Sequence, residues 1–446
     1  MSEEAGSRLP VPVIERAIKL SYAQAMLGAI YGASTGGMFI IGYALKLKAD
    51  NVQIGLMSSI PMLCVVVQLL SSALVERGVS RRKLTLFGAL LNVIGWVLII
   101  LIPYVAAKAP DVAKIAALIG IITLVTVFAQ ISGNARGSWI GDLIPAEYRG
   151  TFFGRLTRYA GIIGMVFALI EGLFLDTVKK MGIGAFSWLF GFGMLFGLAN
   201  ALLFWPQADV PMQVKKAGDS FMGYVKQTFA NKALMLVMLY ALLWSMQSIA
   251  GPFYATYLLR DLGMKYFNLG LLNAVVIVVM LLMSPFWGRM VDRYGCRPVL
   301  VICTLASAPL PLIWIWMHSV AAVNWAMPFI HIIVGIAISG ITVALNTLVY
   351  KVTPSAGRSV QFAIYSIIVV LGAAPMPALG GHFPDWFHRI FPHADLRVTF
   401  YTSMLPITAA AIAAWYIIEP GAKRTRQMVK ELPGHIRKPG ALTGGG

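Results

Sequence analysis

Twelve apolar runs, each about long enough to cross a bilayer, constrain this chain more than any other feature. Hydrocarbon offers the backbone no water, so a spanning segment must satisfy its own amides, and a helix of about 20 residues does so. The runs fall near 20–45, 52–75, 84–106, 113–141, 155–177, 186–206, 233–258, 267–287, 299–317, 326–349, 360–380 and 400–418. They predict an all-α membrane protein of twelve transmembrane helices. With 58% hydrophobic and 12% charged residues and a mean hydropathy of +0.76, an ordinary soluble domain is excluded.

The runs form two related sets. Glu76, Arg77, Val79 and Arg81, after the second run, are matched after the eighth by Asp292, Arg293, Gly295 and Arg297. Asp142, Pro145, Arg149 and Gly150, after the fourth, are answered after the tenth by Pro354, Gly357 and Arg358. A duplicated set of membrane-length segments is the pattern of a secondary transporter holding its solute between two halves. The expected divisions are a first six-helix bundle over 1–206, a linker over 207–232, a second bundle over 233–418 and a basic cytoplasmic tail over 419–446. Phe221, Tyr224, Val225 and Phe229 share one helical face, so the linker should carry a surface helix. The glycine-ended tail after Pro420 is expected to be disordered.

Most of the 36 Lys and Arg residues fall on the side that an even number of spans shares with both termini. Short basic loops stay inside, which predicts cytoplasmic N and C termini. The net charge of +18 then reflects topology and anionic lipid, and nucleic-acid binding is not expected. No apolar stretch with a cleavage site precedes the first run, which should itself be the targeting signal. Cys64, Cys296 and Cys303 lie in spans or on the inner side and read as packing residues. The short loops suggest a bacterial inner membrane.

Gly288, Asp292, Arg293, Gly295 and Arg297 occur at the spacing found between the second and third helices of each half in the major facilitator superfamily, which this chain resembles over essentially its whole length. The first-half copy departs from the pattern, with Ser72 and Val79 in place of the glycines and Glu76 in place of the aspartate. The resemblance implies two pseudo-symmetric bundles, a monomer working by alternating access, and a central cavity lined by the first, fourth, seventh and tenth helices. It also implies a cytoplasmic gate built from Glu76, Arg77, Arg81, Asp142, Arg149, Asp292, Arg293, Arg297 and Arg358. Physically, Glu76 or Asp292 could pair with a neighbouring Arg, and Asp142 could reach Arg77 or Arg81. Alternatively, these charges only set topology and anchor at headgroups.

Polar residues that would be costly in lipid mark the candidate cavity. Tyr240, Trp244, Gln247, Gly251 and Tyr254 recur at intervals of four and three on the seventh run, and Gln24, Gly28, Tyr31, Thr35 and Met38 do so on the first. The fourth run adds Gln130, Asn134 and Arg136, and the tenth adds Thr342 and Asn346. Close packing through Gly28 and Gly251 is the competing explanation. Arg136 could hold an anionic group or snorkel to the interface. Glu171 is the one acid clearly inside a run and the main proton-coupling candidate, with His331 second.

No Gly-rich loop ends in Lys and Ser or Thr, and no nucleophile–base pair stands at usable spacing, so neither a nucleotide cofactor nor an enzyme is expected. His382, Asp385, His388, His393 and Asp395 fit no compact metal pattern; Phe383, Trp386, Phe387, Ile390 and Phe391 among them suggest an aromatic interfacial segment. The expected function is proton-coupled movement of a small organic solute, anions included. Efflux of amphipathic compounds, facilitated diffusion and a non-transporting sensor are the alternatives.

Overall fold

The computed structural model describes residues 10–144, 149–209, 221–354 and 358–437. Pro145 and Gly357 lie outside these residues, and the side chains of Glu76, Gly150, Phe221 and Arg358 are likewise outside the description.

Twelve helices among the described residues are long and apolar enough to span a membrane. They are α1 Val11–Lys46, α2 Asn51–Val75, α3 Arg81–Val105, α4 Asp111–Ile140, α5 Thr151–Thr177, α6 Gly184–Leu202, α7 Lys232–Asp261, α8 Tyr266–Tyr294, α9 Cys296–Trp316, α10 Val320–Val352, α11 Val360–His388 and α12 Val398–Tyr416. The expected fold class therefore holds, and each run lies largely within one helix. The largest difference is at α11, which runs on to His388 through residues expected to form a loop. Large side chains such as Trp188, Leu195, Leu282 and Leu405 stand exposed on these helices, as acyl chains require of a lipid-facing surface.

Two helices carry breaks that matter for the site. In α1 the backbone leaves helical geometry at Gly36, which is extended, and Gly37, whose φ of 52° is left-handed. In α7 a 3₁₀ turn occupies Met246–Ala250, just before Pro252, which has no N–H to give. Each 3₁₀ residue advances further around the axis than an α residue, so five of them rotate the remainder of the helix by about 100°.

Backbone contacts divide the chain into two compact units. The first comprises Met1–Lys216, Pro252–Leu271 and Pro377–His382. Its interior is aromatic: Tyr43 packs edge-on against Phe186 and Phe190, and Trp96 against Phe190. The second comprises Ala217–Gly251, Leu272–Met376 and Phe383–Gly446. Its core joins Trp287 and Met290 of α8, Leu300 and Cys303 of α9, Ile341 and Leu348 of α10, and Ala410 and Ala414 of α12. Cys64, Cys296 and Cys303 are all buried packing residues.

The linker holds a helix, Phe221–Ala230, in which Tyr224 and Val225 are half-buried and Phe229 is exposed. Part of the tail corrects an expectation: Thr425–Arg437 is helical, with Met428 wholly buried against the second core, while the glycine-ended stretch 438–446 lies outside the described residues. Besides Met428, the helix holds Glu431 against Tyr294 and Arg293.

Candidate solute and proton site

The two charged loops must turn sharply between antiparallel helices, which calls for a left-handed residue. Gly295 provides it between α8 and α9 with φ 95°; between α2 and α3 it is Gly78, one place before Val79, with φ 89°. The first-half copy has thus moved its glycine while keeping the turn. Ser80 then caps α3 by accepting from the Lys83 amide.

At the loop end of the first unit, Arg81 is 3% exposed and donates from Nη1 to Asp142 Oδ2 at 2.6 Å and to the Ser138 carbonyl at 3.1 Å. Arg77 is exposed, and Arg149 Nε donates to the Ile144 carbonyl. In the second unit Asp292 is exposed and enters no ion pair found among the described residues. The acids that engage this loop come from the chain's end. Glu419, 3% exposed, accepts the Cys296 and Arg297 amides at 3.0 and 2.8 Å, and pairs with Lys351 at 3.1 Å. Burial opposes its charge, but those amides and Lys351 outweigh burial and hold its carboxyl below the ordinary value. Glu431 accepts from the Tyr294 hydroxyl and lies 3.7 Å from Arg293; these partners lower its carboxyl as well.

The expected polar stripes separate into two kinds. Gln24 is wholly buried, donating to the Leu203 carbonyl and to Gln207, which in turn donates to Ser21. Tyr240 is wholly buried and bonded to Thr304. Both are candidate solute contacts from the sequence; here each is wholly buried and hydrogen-bonded within its own unit. The 3₁₀ turn breaks the continuous face that a regular helix would give residues 240–254, although Tyr240 and Trp244 both precede it. Trp244 before that turn, Gln247 within it and Tyr254 beyond it are all half-buried, and Gln247 donates to the Trp244 carbonyl. Thr342 and Asn346, one turn apart on α10, are exposed.

In the first unit Tyr31 donates to Asn92 at 2.7 Å, and Thr35 to the Tyr31 carbonyl. Gln130 accepts from Gln68 at 2.7 Å; Asn134 donates to Ser72 at 3.0 Å and to the Gln68 carbonyl at 3.1 Å. Gln68 escaped the sequence reading, and Ser72 entered it only as a replacement for a motif glycine, because single polar residues in α2 show no periodicity. Only their placement beside α4 reveals an uncharged, partly open ladder. Arg136 lies with its guanidinium carbon 5.4 Å from the centre of the buried Phe204 ring and forms no ion pair with the described acids.

Glu171 is 3% exposed, and its Oε1 lies 2.5 Å from Ser34 Oγ, which is also 2.9 Å from the Ile30 carbonyl. Its other oxygen is buried with no hydrogen-bond partner. A hydroxyl carries one hydrogen. If Glu171 is neutral, it donates to Ser34, which donates to Ile30; if charged, Ser34 must turn its hydrogen toward Glu171 and abandon Ile30. The Ser34 hydrogen-bond partner thus depends on whether Glu171 is charged, and Ser34 lies two residues before the break in α1. His331 contacts the Met327 carbonyl of its own helix at 2.8 Å.

Residues 236–443 match the sequence profile of the Major Facilitator Superfamily, the half whose charged loop is intact. The chain is 26% identical over 284 residues to the multi-drug resistance efflux pump PmrA of Streptococcus pneumoniae, covering 61% of this chain and 68% of the pump. Its fold is similar to the crystal structure of a D-xylose-proton symporter, with a TM-score of 0.69 and 15% identity over 92% of this chain and all of the symporter. It is also similar to a bacterial homologue of the human lysosomal transporter Spinster in an inward-facing, unoccupied conformation, with a TM-score of 0.67 and 14% identity over 95% and 99% of the two chains.

Proposed function

We propose that this chain, a twelve-span membrane protein similar to transporters of the major facilitator superfamily, moves a small, uncharged or amphipathic organic solute by proton-coupled alternating access. The carrying observation is the buried Glu171–Ser34 pair, a carboxyl able to exchange one proton beside a helix break. Candidate solute contacts within the first unit are Tyr31, Gln68, Ser72, Gln130, Asn134 and Tyr254; those within the second, taken by itself, are Trp244, Gln247, Thr342 and Asn346. Efflux is the proposed direction, supported by the likeness to PmrA. The charged loops face the cytoplasm, and Arg81–Asp142 belongs to the gate there.

Proteoliposomes with an imposed proton gradient and ethidium as probe test this. In Glu171→Gln the gradient should no longer drive ethidium accumulation, while ethidium exchange at equal pH continues. Gradient-driven accumulation at the unmodified rate would refute the coupling role. A second reading, anion transport, rests on Arg136 having no acidic partner among the described residues. Carboxyfluorescein movement lost in Arg136→Ala, with ethidium unmoved in either protein, would favour it.

A further inference from the structure

Within the first unit, segments 252–271 and 377–382 pack against residues from the opposite half of the sequence, at the end remote from the charged loops. Their attachment has an unusual feature. A helix start needs an acceptor for its first amides, and Lys265, which precedes α8, has none to offer. Asp176, near the end of α5, fills that need from across the packing: Oδ1 accepts the Tyr266 amide at 3.0 Å and Oδ2 the Phe267 amide at 2.9 Å.

Independent contacts surround this cap. A Cβ on Gly172, one turn before Asp176, would lie 3.0 Å from the Phe267 nitrogen, tight enough that the backbones would have to give by a few tenths of an ångström. A Cβ on Gly42 would collide with the Tyr266 hydroxyl, and the Tyr266 ring stacks on Phe39. Arg260 donates to Asn51 at 2.8 Å, and Ser59 accepts the Ala378 amide at 2.9 Å.

We propose that Asp176 is a positioning residue for transport: by capping α8 it locks this end of the protein shut, and the cap must break whenever that end opens. This deepens the alternating-access reading and rests on it. The lock is charge against helix dipole as well as hydrogen bonding, so a neutral amide, which can accept only one of the two N–H groups, should hold it less tightly.

The test is the labelling rate of Met38→Cys by a membrane-impermeant maleimide, in whole protein reconstituted in vesicles, with reagent applied to either face. Met38 is buried, with its terminal methyl close to Gly270, so its accessibility reports separation of α8 from this end. Asp176→Asn should raise labelling from the face remote from the charged loops, on the order of tenfold, and leave the other face unchanged. Gly172→Ala, which leaves the carboxylate in place but forces the backbones apart, should act in the same direction. Unchanged labelling in a folded Asp176→Asn protein would overturn the proposal, as would equal increases from both faces with a lower melting temperature, which would mean general loosening. No transported solute enters the assay, so its result stands apart from that of Glu171→Gln.

Discussion

Replacing Glu419 by Gln should cost the second unit about 3 kcal/mol, an unusually large effect for a residue beyond the last span. The carboxylate is 3% exposed, with the Cys296 amide, the Arg297 amide and Lys351 as partners. Gln can accept one amide through its carbonyl, but it turns an NH₂ toward the other and orphans it, at about 1–3 kcal/mol. The loss of charge at the start of α9 adds up to about 1 kcal/mol, and the half-exposed Lys351 pair adds less. Because the folded carboxyl sits below its ordinary 4.5, its stabilisation is present in full above that value and is lost as pH falls through the lower, folded one. Melting of the purified protein followed by tryptophan fluorescence should therefore show Glu419→Gln several degrees below the parent at pH 7. The gap should narrow only below about pH 4.5. Equal melting at pH 7, or a gap that closes between pH 7 and 5, would refute the reasoning.

Tyr240→Phe should destabilise the second unit by about 1–2 kcal/mol, through the unsatisfied Thr304 hydroxyl, without changing the concentration dependence of ethidium transport; a changed concentration dependence with intact stability would return Tyr240 to the solute face. Asp142→Ala deprives the buried Arg81 of its carboxylate and should cost about 1–3 kcal/mol, reduced from a fully buried pair because Asp142 is half-exposed. Thermal melting reads it, and Arg81→Ala combined with Asp142→Ala should cost less than the two single changes added together.

The spans were legible because hydrocarbon leaves the backbone one solution, so length and hydropathy decide the element without any tertiary contact. The duplication was legible for a related reason: turning between antiparallel helices requires a residue such as Gly295, and topology requires the basic residues beside it. Even the degenerate copy obeys the constraint, with Gly78 taking the left-handed position beside Val79. The linker helix was legible from its apolar face. The terminal helix was not, since Met428 and Glu431 meet partners far away in sequence.

The polar sites were harder for one physical reason: a carboxylate's role is set by which amides it reaches, and those amides are anonymous in sequence. Glu171 stood out because it lies inside an apolar run, yet its partner Ser34 carried no mark. Glu419 and Asp176 sit at helix ends, where acids are common, and only folding brings each within 3 Å of a foreign helix start. The stripe on α7 meets a different difficulty, because its spacing assumes a regular helix. Pro252 was the warning. A proline one turn beyond Ser248 withdraws a backbone donor, the helix tightens into 3₁₀ geometry ahead of it, and a face extrapolated across such a residue cannot be trusted to remain one face.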